Sequence, residues 1–407
     1  MTSVRVACCG WQYDDWVGPF YPESLRGRRG EWLAYYARYF DAVEVDSTFY
    51  SFPGERTVAA WIEKGRAIGR MLRGGGVGEG RNGGEHAGIV SGRGASQLVV
   101  SGASGIGIDS ADAGGFEYSV KMHQDVTHAH LVRGSIDEAV SLAKDFETAV
   151  CRPLSDHGLL GAVLIQLSPH FHREGSGEKD ACAGGGAGGR GGLEALKSIL
   201  DGLDVDRYRY VVEFRHRSWL DGKGKEIHPE ALALLRRKRV AVCILDSPGF
   251  PATRALTADH AYVRFHGRNY DLWYRKERPE GDLRINRYDY LYSDEELRPW
   301  AERVRRWMGS DRRAGGRAGN SDGEVEMEEA QTGERMGKGD DHACVAPASE
   351  VWAGTIDDYE ARLREVRIAF NNHGHAKAVI NGLRFRQMLG LGSRELRARP
   401  RTLDDFG

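Results

Sequence analysis

Short β-type runs alternate with helical patterns along the whole chain, and that alternation is the strongest constraint on how it can fold. The runs are VRVACCGW (4–11), AVEVDSTF (42–49), FEYSVKM (116–122), AVLIQL (162–167), YVVEFRH (210–216), VAVCILDS (240–247), AYVRFHGR (261–268) and VRIAFNN (366–372). Helical periodicity falls at 31–40, 56–66, 135–149, 193–201, 229–238, 294–307 and 375–389. Strands alternating with helices imply an α/β fold with a parallel sheet, and eight of them predict a (β/α)8 TIM barrel rather than an open doubly wound sheet. The dinucleotide-binding alternative lacks its fingerprint after the first run. G-x-G-x-x-G does occur, as at 78–83 and 184–189, but inside glycine-rich tracts where chance produces it.

Those tracts set the domain organisation. Of 54 glycines, 17 lie in 65–115, 9 in 173–192 and 9 in 309–354, so 35 fall within 117 of the 407 residues. The other 290 residues have an ordinary glycine content, near the usual level of about 7 %. The chain therefore reads as a single barrel domain over 1–407, with low-complexity insertions at about 68–115, 173–192 and 309–350. A core of that size buries enough apolar surface without metals or disulfides. The insertions mix glycine with charge and predict flexible surface loops, with a loose hairpin pattern only at 89–108.

Composition excludes several classes. A net charge of −2 exerts no global pull on nucleic acid or anionic lipid, leaving only a local basic patch as a route to nucleic acid. No run approaches the roughly 18 to 20 apolar residues of a membrane helix. The N-terminal MTSVRVACCGW has no basic region followed by a long apolar stretch, so no signal peptide is expected. Six cysteines (8, 9, 151, 182, 243 and 344) lack C-x-x-C spacing, and a reduced, cytoplasmic protein is expected.

Side chains of a barrel strand alternate between the interior and the helix ring. Placing the valines and phenylalanines outward turns Glu44, Asp46, Lys121, Gln166, Glu213, Arg215, Arg264 and His266 inward, with Asp246 ending the sixth run. Barrels used only for packing fill this space with branched apolar residues, and unpaired buried charge is costly. Ion pairing low in the barrel accounts for Glu44. The others lie at or near the C-terminal strand ends, where such barrels build active sites. Lys121, Glu213 and His266 are the expected proton-transfer groups. Trp11, Asp46, Gln166, Arg215, Asp246, Arg264 and Asn371 are the expected substrate-binding groups, the arginines suiting a phosphate or carboxylate.

The close histidine pairs His128/His130, His170/His172 and His373/His375 follow strand ends and read as solvent-exposed loop residues. Neither a G-x-S-x-G elbow, a phosphate-binding G-K-[ST] nor H-E-x-x-H occurs. Trp11, Tyr13, Trp16, Phe20 and Tyr21 crowd the segment after the first run, as a packed cap or a stacking platform.

The segments GWQYDDWVGPFYP (10–22), VEVDSTFYSFP (43–53), FEYSVKMHQDVTH (116–128), VLIQLSPHF (163–171), VEFRHRSW (212–219), DSPGFP (246–251), TADHAYVRFHGRN (257–269), YDYLYSDEEL (288–297) and FNNHGHAKAV (370–379) resemble the YecE-like proteins, domain of unknown function 72. They occur in order across nearly the whole chain outside the insertions. The resemblance implies a (β/α)8 barrel and no particular activity. The chain departs from the family pattern in Cys8-Cys9-Gly10-Trp11 for T-S-G-W, Asp46 for asparagine, Ser168-Pro169 for a proline pair, and in the insertions. In outline such a barrel is similar to endonuclease IV and xylose isomerase-like enzymes, which bind divalent metals.

Three functional expectations follow. One is an enzyme acting on a small anionic molecule by acid/base chemistry without an obligatory metal. The second is a divalent-metal-dependent phosphodiesterase on nucleic acid, with Asp46, Glu213, Asp246 and His266 as ligands; three cations among those ligands oppose it. The third is a non-catalytic binding protein using the same groups.

Deleting 72–112 and 312–348 is expected to leave the barrel's melting temperature nearly unchanged, because segments of this composition add no core. A fall of more than roughly 8 °C in a thermal melt would show that they pack on it.

Overall fold

A computed structural model of the chain describes residues 2–74, 115–174, 191–270, 287–309 and 356–392. The strands are β1 (Ser3–Cys8), β2 (Ala42–Val45), β3 (Glu117–Lys121), β4 (Leu160–Gln166), β5 (Tyr210–Glu213), β6 (Ala241–Asp246), β7 (His260–Phe265) and β8 (Glu365–Phe370). The helices are α1 (Arg29–Tyr36), α2 (Glu55–Gly74), α3 (Ile136–Phe146), α4 (Gly192–Gly202), α5 (Pro229–Lys238), α6 (Asp294–Met308), α7 (Ile356–Arg362) and α8 (Lys377–Met388). The strands pair in parallel in the order β1-β8-β7-β6-β5-β4-β3-β2, giving a nearly closed (β/α)8 barrel. At the β1–β2 seam the ladder is reduced to one bridge, Cys9 to Glu44, with Gly10 N–H donating to the Glu44 carbonyl at 2.8 Å. Gly10 turns the chain there at φ +83°, and a Cβ would collide with the Tyr13 ring.

The alternation along the strands divides the molecule into two layers. Outward residues such as Val6, Val43, Val120, Ile165, Val212 and Ile368 pack beneath the helices in one apolar cluster. Inward residues include Ala162, Ala241 and Ala369, whose small side chains leave room for Tyr262 and the charged groups. At the N-terminal end Arg367 donates to both Glu117 oxygens, at 2.6 and 3.1 Å, and Arg5 lies 3.1 Å from the same carboxylate. This buried ion pairing plugs the barrel floor. The helix ring is started by local chemistry too: Ser293 and Glu296 form a reciprocal capping box at the head of α6.

Several boundaries differ from expectation. β2 stops at Val45, and Ser47–Tyr50 form a short helix because the Thr48 hydroxyl bonds the Val45 carbonyl and the backbone of Lys121 instead of extending the ladder. α2 runs to Gly74, so the boundary placed at 68 falls inside a helix; 75–114, 175–190 and 310–355 lie outside the described residues. After α3, the backbone passes through a π turn, Glu147–Cys151, into Arg152–Asp156. Pro153 has no N–H and its ring crowds the preceding turn, which favours the wider loop of backbone there. His128 and His130 sit in a helical turn after β3, not in open loop, and are half-buried.

Asp246 needs a larger correction. Ala241, Cys243 and Leu245 face inward on β6, so the next residue faces the helix ring, not the barrel axis. There it accepts from Arg268 Nε and Nη2 at 2.9 and 2.6 Å, from the Tyr292 hydroxyl at 2.9 Å and from Trp300 Nε1 at 2.9 Å. Four donors on one carboxylate tie the end of β6 to the chain after β7 and to α6. Asp246→Ala leaves the Tyr292 and Trp300 donors without this acceptor and Arg268 with Glu296 alone, and is expected to cost about 2 to 4 kcal/mol in a denaturant titration.

Candidate active site

The C-terminal half of the barrel interior is organised around Arg264, which is 1 % exposed. Its Nε and Nη2 donate to Glu44 Oε2 and Oε1 at 3.0 and 2.7 Å, and Nη1 donates to Glu213 Oε2 at 2.5 Å. Nη2 also reaches Cys9 Sγ at 3.6 Å, and Nη1 lies 3.3 Å from His266 Nε2. Every N–H of the guanidinium thus has an acceptor. Arg264, expected to hold a substrate anion, has no donor left for one. Glu44, expected as a structural ion-pair partner, accepts from the Tyr262 hydroxyl as well, at 2.9 Å.

Glu213 is equally saturated. Gln166 donates to its Oε1 at 2.7 Å, and Arg215 Nε lies 3.1 Å from the same oxygen. Burial alone would raise its pKa, but the Arg264 and Arg215 charges overcome burial and hold it well below the usual carboxylate value. A group locked in one state is a poor proton carrier near neutral pH, so the acid/base role expected of Glu213 does not suit its surroundings. His266 is held neutral, since burial and the Arg264 charge push its pKa well below 6.5. Its Nδ1 lies 2.8 Å from the Asn371 side-chain amide.

Lys121 differs from these. Burial, then the Arg264 charge, lowers its pKa from 10.5 to about 8, against the pull of Glu44, Asp46 and Glu213. Its Nζ stands 4.3 Å from the centroid of the Phe49 ring. Among the described residues no hydrogen bond or ion pair reaches that nitrogen. Its backbone is nonetheless rigidly placed: the Thr48 hydroxyl donates to the Lys121 carbonyl at 2.7 Å and accepts from its N–H at 3.1 Å. Asp46 is half-buried beside it, with a pKa raised by burial, and further by Glu44, against the Lys121 charge. The segment Asp46–Phe49 therefore supplies a carboxyl, a backbone clamp and an aromatic face to one lysine.

Arg215 completes the set. Its side chain is 25 % exposed, and beyond the Nε contact neither terminal nitrogen has a partner among the described residues. His128 lies in the same electrostatic environment: burial, then Arg215 and Lys121, lower its pKa to about 4. His266 feels those same two cations. Lys121, Glu213, Arg215, Arg264 and His266 thus lie together at the C-terminal end, joined by Gln166, Asp46 and Asn371. The sequence reading missed His128, whose place seven residues after Lys121, just past a strand end, was the available signal.

Two expected site residues lie elsewhere. Asp246 is in the helix ring, as described. Trp11 is buried in the outer apolar cluster, its carbonyl accepting from the Tyr21 hydroxyl at 2.6 Å. In the same segment Trp16 donates to the His373 carbonyl, Tyr21 stacks on Trp32 and Tyr13 stacks on His373, so these aromatics form a packed cap. The proposed metal set of Asp46, Glu213, Asp246 and His266 does not converge, because Asp246 faces away and Arg264 occupies Glu213. Among the described residues no three His, Cys, Asp or Glu side chains converge in a metal-holding geometry. A hollow of about 700 Å³, lined by Thr2, Arg239, Asp259, Arg306 and Arg364 among others, opens at the opposite, N-terminal end.

Arg264→Ala leaves Glu44 and Glu213 buried without their common cation. The expected loss is about 3 to 5 kcal/mol of stability by chemical denaturation. Replacing Glu44, Glu213 and Arg264 together by apolar residues of similar volume should cost much less, because no charge is then orphaned.

The comparisons agree with this architecture. The family model described as "Protein of unknown function DUF72" matches residues 5–67 and 109–332. A solved DUF72 family protein from Thermotoga maritima is similar at 23 % identity and a TM-score of 0.55, over 95 % of this chain and 99 % of that one. Another from Enterococcus faecalis is similar at 16 % identity and a TM-score of 0.54, over 98 % of this chain and 100 % of that one. No curated protein sequence shows significant similarity. With nine motif segments in order, a family match over most of its length and an eight-stranded parallel barrel, the chain belongs to the DUF72 family.

Proposed function

We propose that the protein is an enzyme acting on a small anionic molecule by acid/base chemistry at the C-terminal mouth of the barrel, without an obligatory metal. The observation that carries this reading is the contrast between Arg264 and the other two cations. Arg264 is consumed by carboxylates, whereas Lys121 Nζ and the outer edge of Arg215 have no hydrogen-bond acceptor among the described residues. Cations placed at a barrel mouth with open donors suit a carboxylate or phosphate group.

The proton-transfer roles fall on Lys121 and Asp46 rather than on Glu213 and His266. Lys121, near 8, exchanges its proton at physiological pH, and burial raises the Asp46 pKa above its usual value. Titratable neighbours whose environments move them away from their ordinary values mark acid/base pairs. Glu213 stays ionised and fixes Arg215, Gln166 and Arg264 around it. Glu213 and Asp246, two of the carboxylates that would have to bind a cation, are already paired with arginine, which supports chemistry that needs no metal.

Sulfate, which stays doubly charged across neutral pH, is a suitable probe. At a hundred times its Kd it should stabilise the fold by about 2.7 kcal/mol, read as a rise in Tm. Arg215→Met is expected to remove most of that rise. The effect should also weaken as pH climbs from 7 to 9, because Lys121 loses its proton near 8 and the site loses a positive charge. A sulfate effect that is indifferent to Arg215 and to pH in this window would refute the assignment.

A further inference from the structure

We propose that Lys121 is an imine-forming nucleophile, and that the substrate is an aldehyde or ketone carrying a carboxylate or phosphate that Arg215 receives. The inference rests on the anion-binding, acid/base reading above and names the substrate class for it. Three observations support it, the first of them and the Phe49 contact geometric.

The first is that the amine is positioned but not occupied. Thr48 clamps the Lys121 backbone from both sides, and the Phe49 ring faces Nζ, yet no described residue accepts a hydrogen bond from it. Lys121 is buried but not fully sealed, at 6 % exposed. The second is the neighbouring cation. Lysines become nucleophilic when dehydrated or when set beside another positive charge, and Lys121 has both influences, with Arg264 as the charge. The third is the provision for the product. A protonated imine is a cation, and it would lie against the Phe49 face with Asp46 and Glu213 nearby.

The step balances without a further reactant. Neutral Nζ adds to the carbonyl carbon, forming the C–N bond, and one amine proton passes to the carbonyl oxygen. The Asp46 carboxyl then gives its proton to that hydroxyl, the C–O bond breaks and water leaves. What remains is the protonated imine, with the second amine proton still on nitrogen, and an Asp46 carboxylate. That carboxylate is then the base available for a proton on the carbon next to the imine.

The test uses the full chain with pyruvate or dihydroxyacetone phosphate, followed by sodium borohydride, with intact-mass measurement and peptide mapping. The expected result is one adduct per chain, at Lys121, heavier by the carbonyl compound less one oxygen atom. At pH 8 its rate should exceed that of an exposed lysine by about a hundredfold, as the neutral fractions at pKa values near 8 and 10.5 require. Lys121→Arg, which keeps the charge, and Lys121→Met should both remove the adduct. Arg215→Met should raise the half-saturating concentration at least tenfold. The two compounds distinguish a carboxylate from a phosphate as the anionic group. Labelling spread over exposed lysines, or undiminished in Lys121→Met, overturns the proposal, as does the absence of a Lys121 adduct with both compounds. If sulfate still raises Tm through Arg215 in that case, only the imine is lost; if it does not, the anion site falls with it.

Discussion

A single guanidinium held between two carboxylates determines much of this barrel. Arg264 lies at the centre of the interior, donating to Glu44 on one side and Glu213 on the other, with none of the three exposed by more than 1 %. Dehydrating three charges is expensive, and the arrangement is tolerable only because every polar atom is answered. Glu44 also takes the Tyr262 hydroxyl, Glu213 also takes Gln166, and the guanidinium has no spare donor. Small residues on β4, β6 and β8 make the room. The triad supplies little by way of chemistry itself. Within it Arg264 keeps Glu213 ionised, and its charge adds to the burial that holds His266 neutral and lowers Lys121 to about 8.

Periodicity carried most of the architecture. The eight runs and the seven helical patterns all correspond to elements, because apolar period is a local property that the helix ring then rewards. Interior parity also held on β2, β3, β4, β5 and β7, so Glu44, Lys121, Gln166, Glu213 and Arg264 were placed on the correct side. It failed at Asp246, where the run VAVCILDS offers apolar residues at both parities and nothing local says which set faces the axis.

Roles were harder to read than positions. Arg264 and Arg215 look alike in the sequence, each an arginine two residues before a strand-end histidine or near one. Their difference lies in how many carboxylates meet each, and those come from strands far away in the chain, Glu44 being 220 residues from Arg264. The same holds for Thr48 and Phe49, which sit in a run that reads as strand but fold back as a short helix around Lys121. His128 was visible as a residue just past a strand end, but its contact with the site depends on the helical turn that carries it. What could be read was anything decided by neighbours in sequence; what could not was the pairing of charges across the barrel.

The seam between β1 and β2 has a consequence for how the site comes into being. Backbone pairing there is confined to the Cys9–Glu44 bridge, yet Glu44 is also the residue that reaches across the interior to Arg264 on β7. The first and last thirds of the barrel are therefore stitched by a side chain where the ladder is thinnest. During folding, a partial barrel that lacks β7 has Lys121 without the full burial and without the Arg264 charge that together lower its proton affinity. The lowered proton affinity of Lys121 is then a property that appears only with closure of the ring.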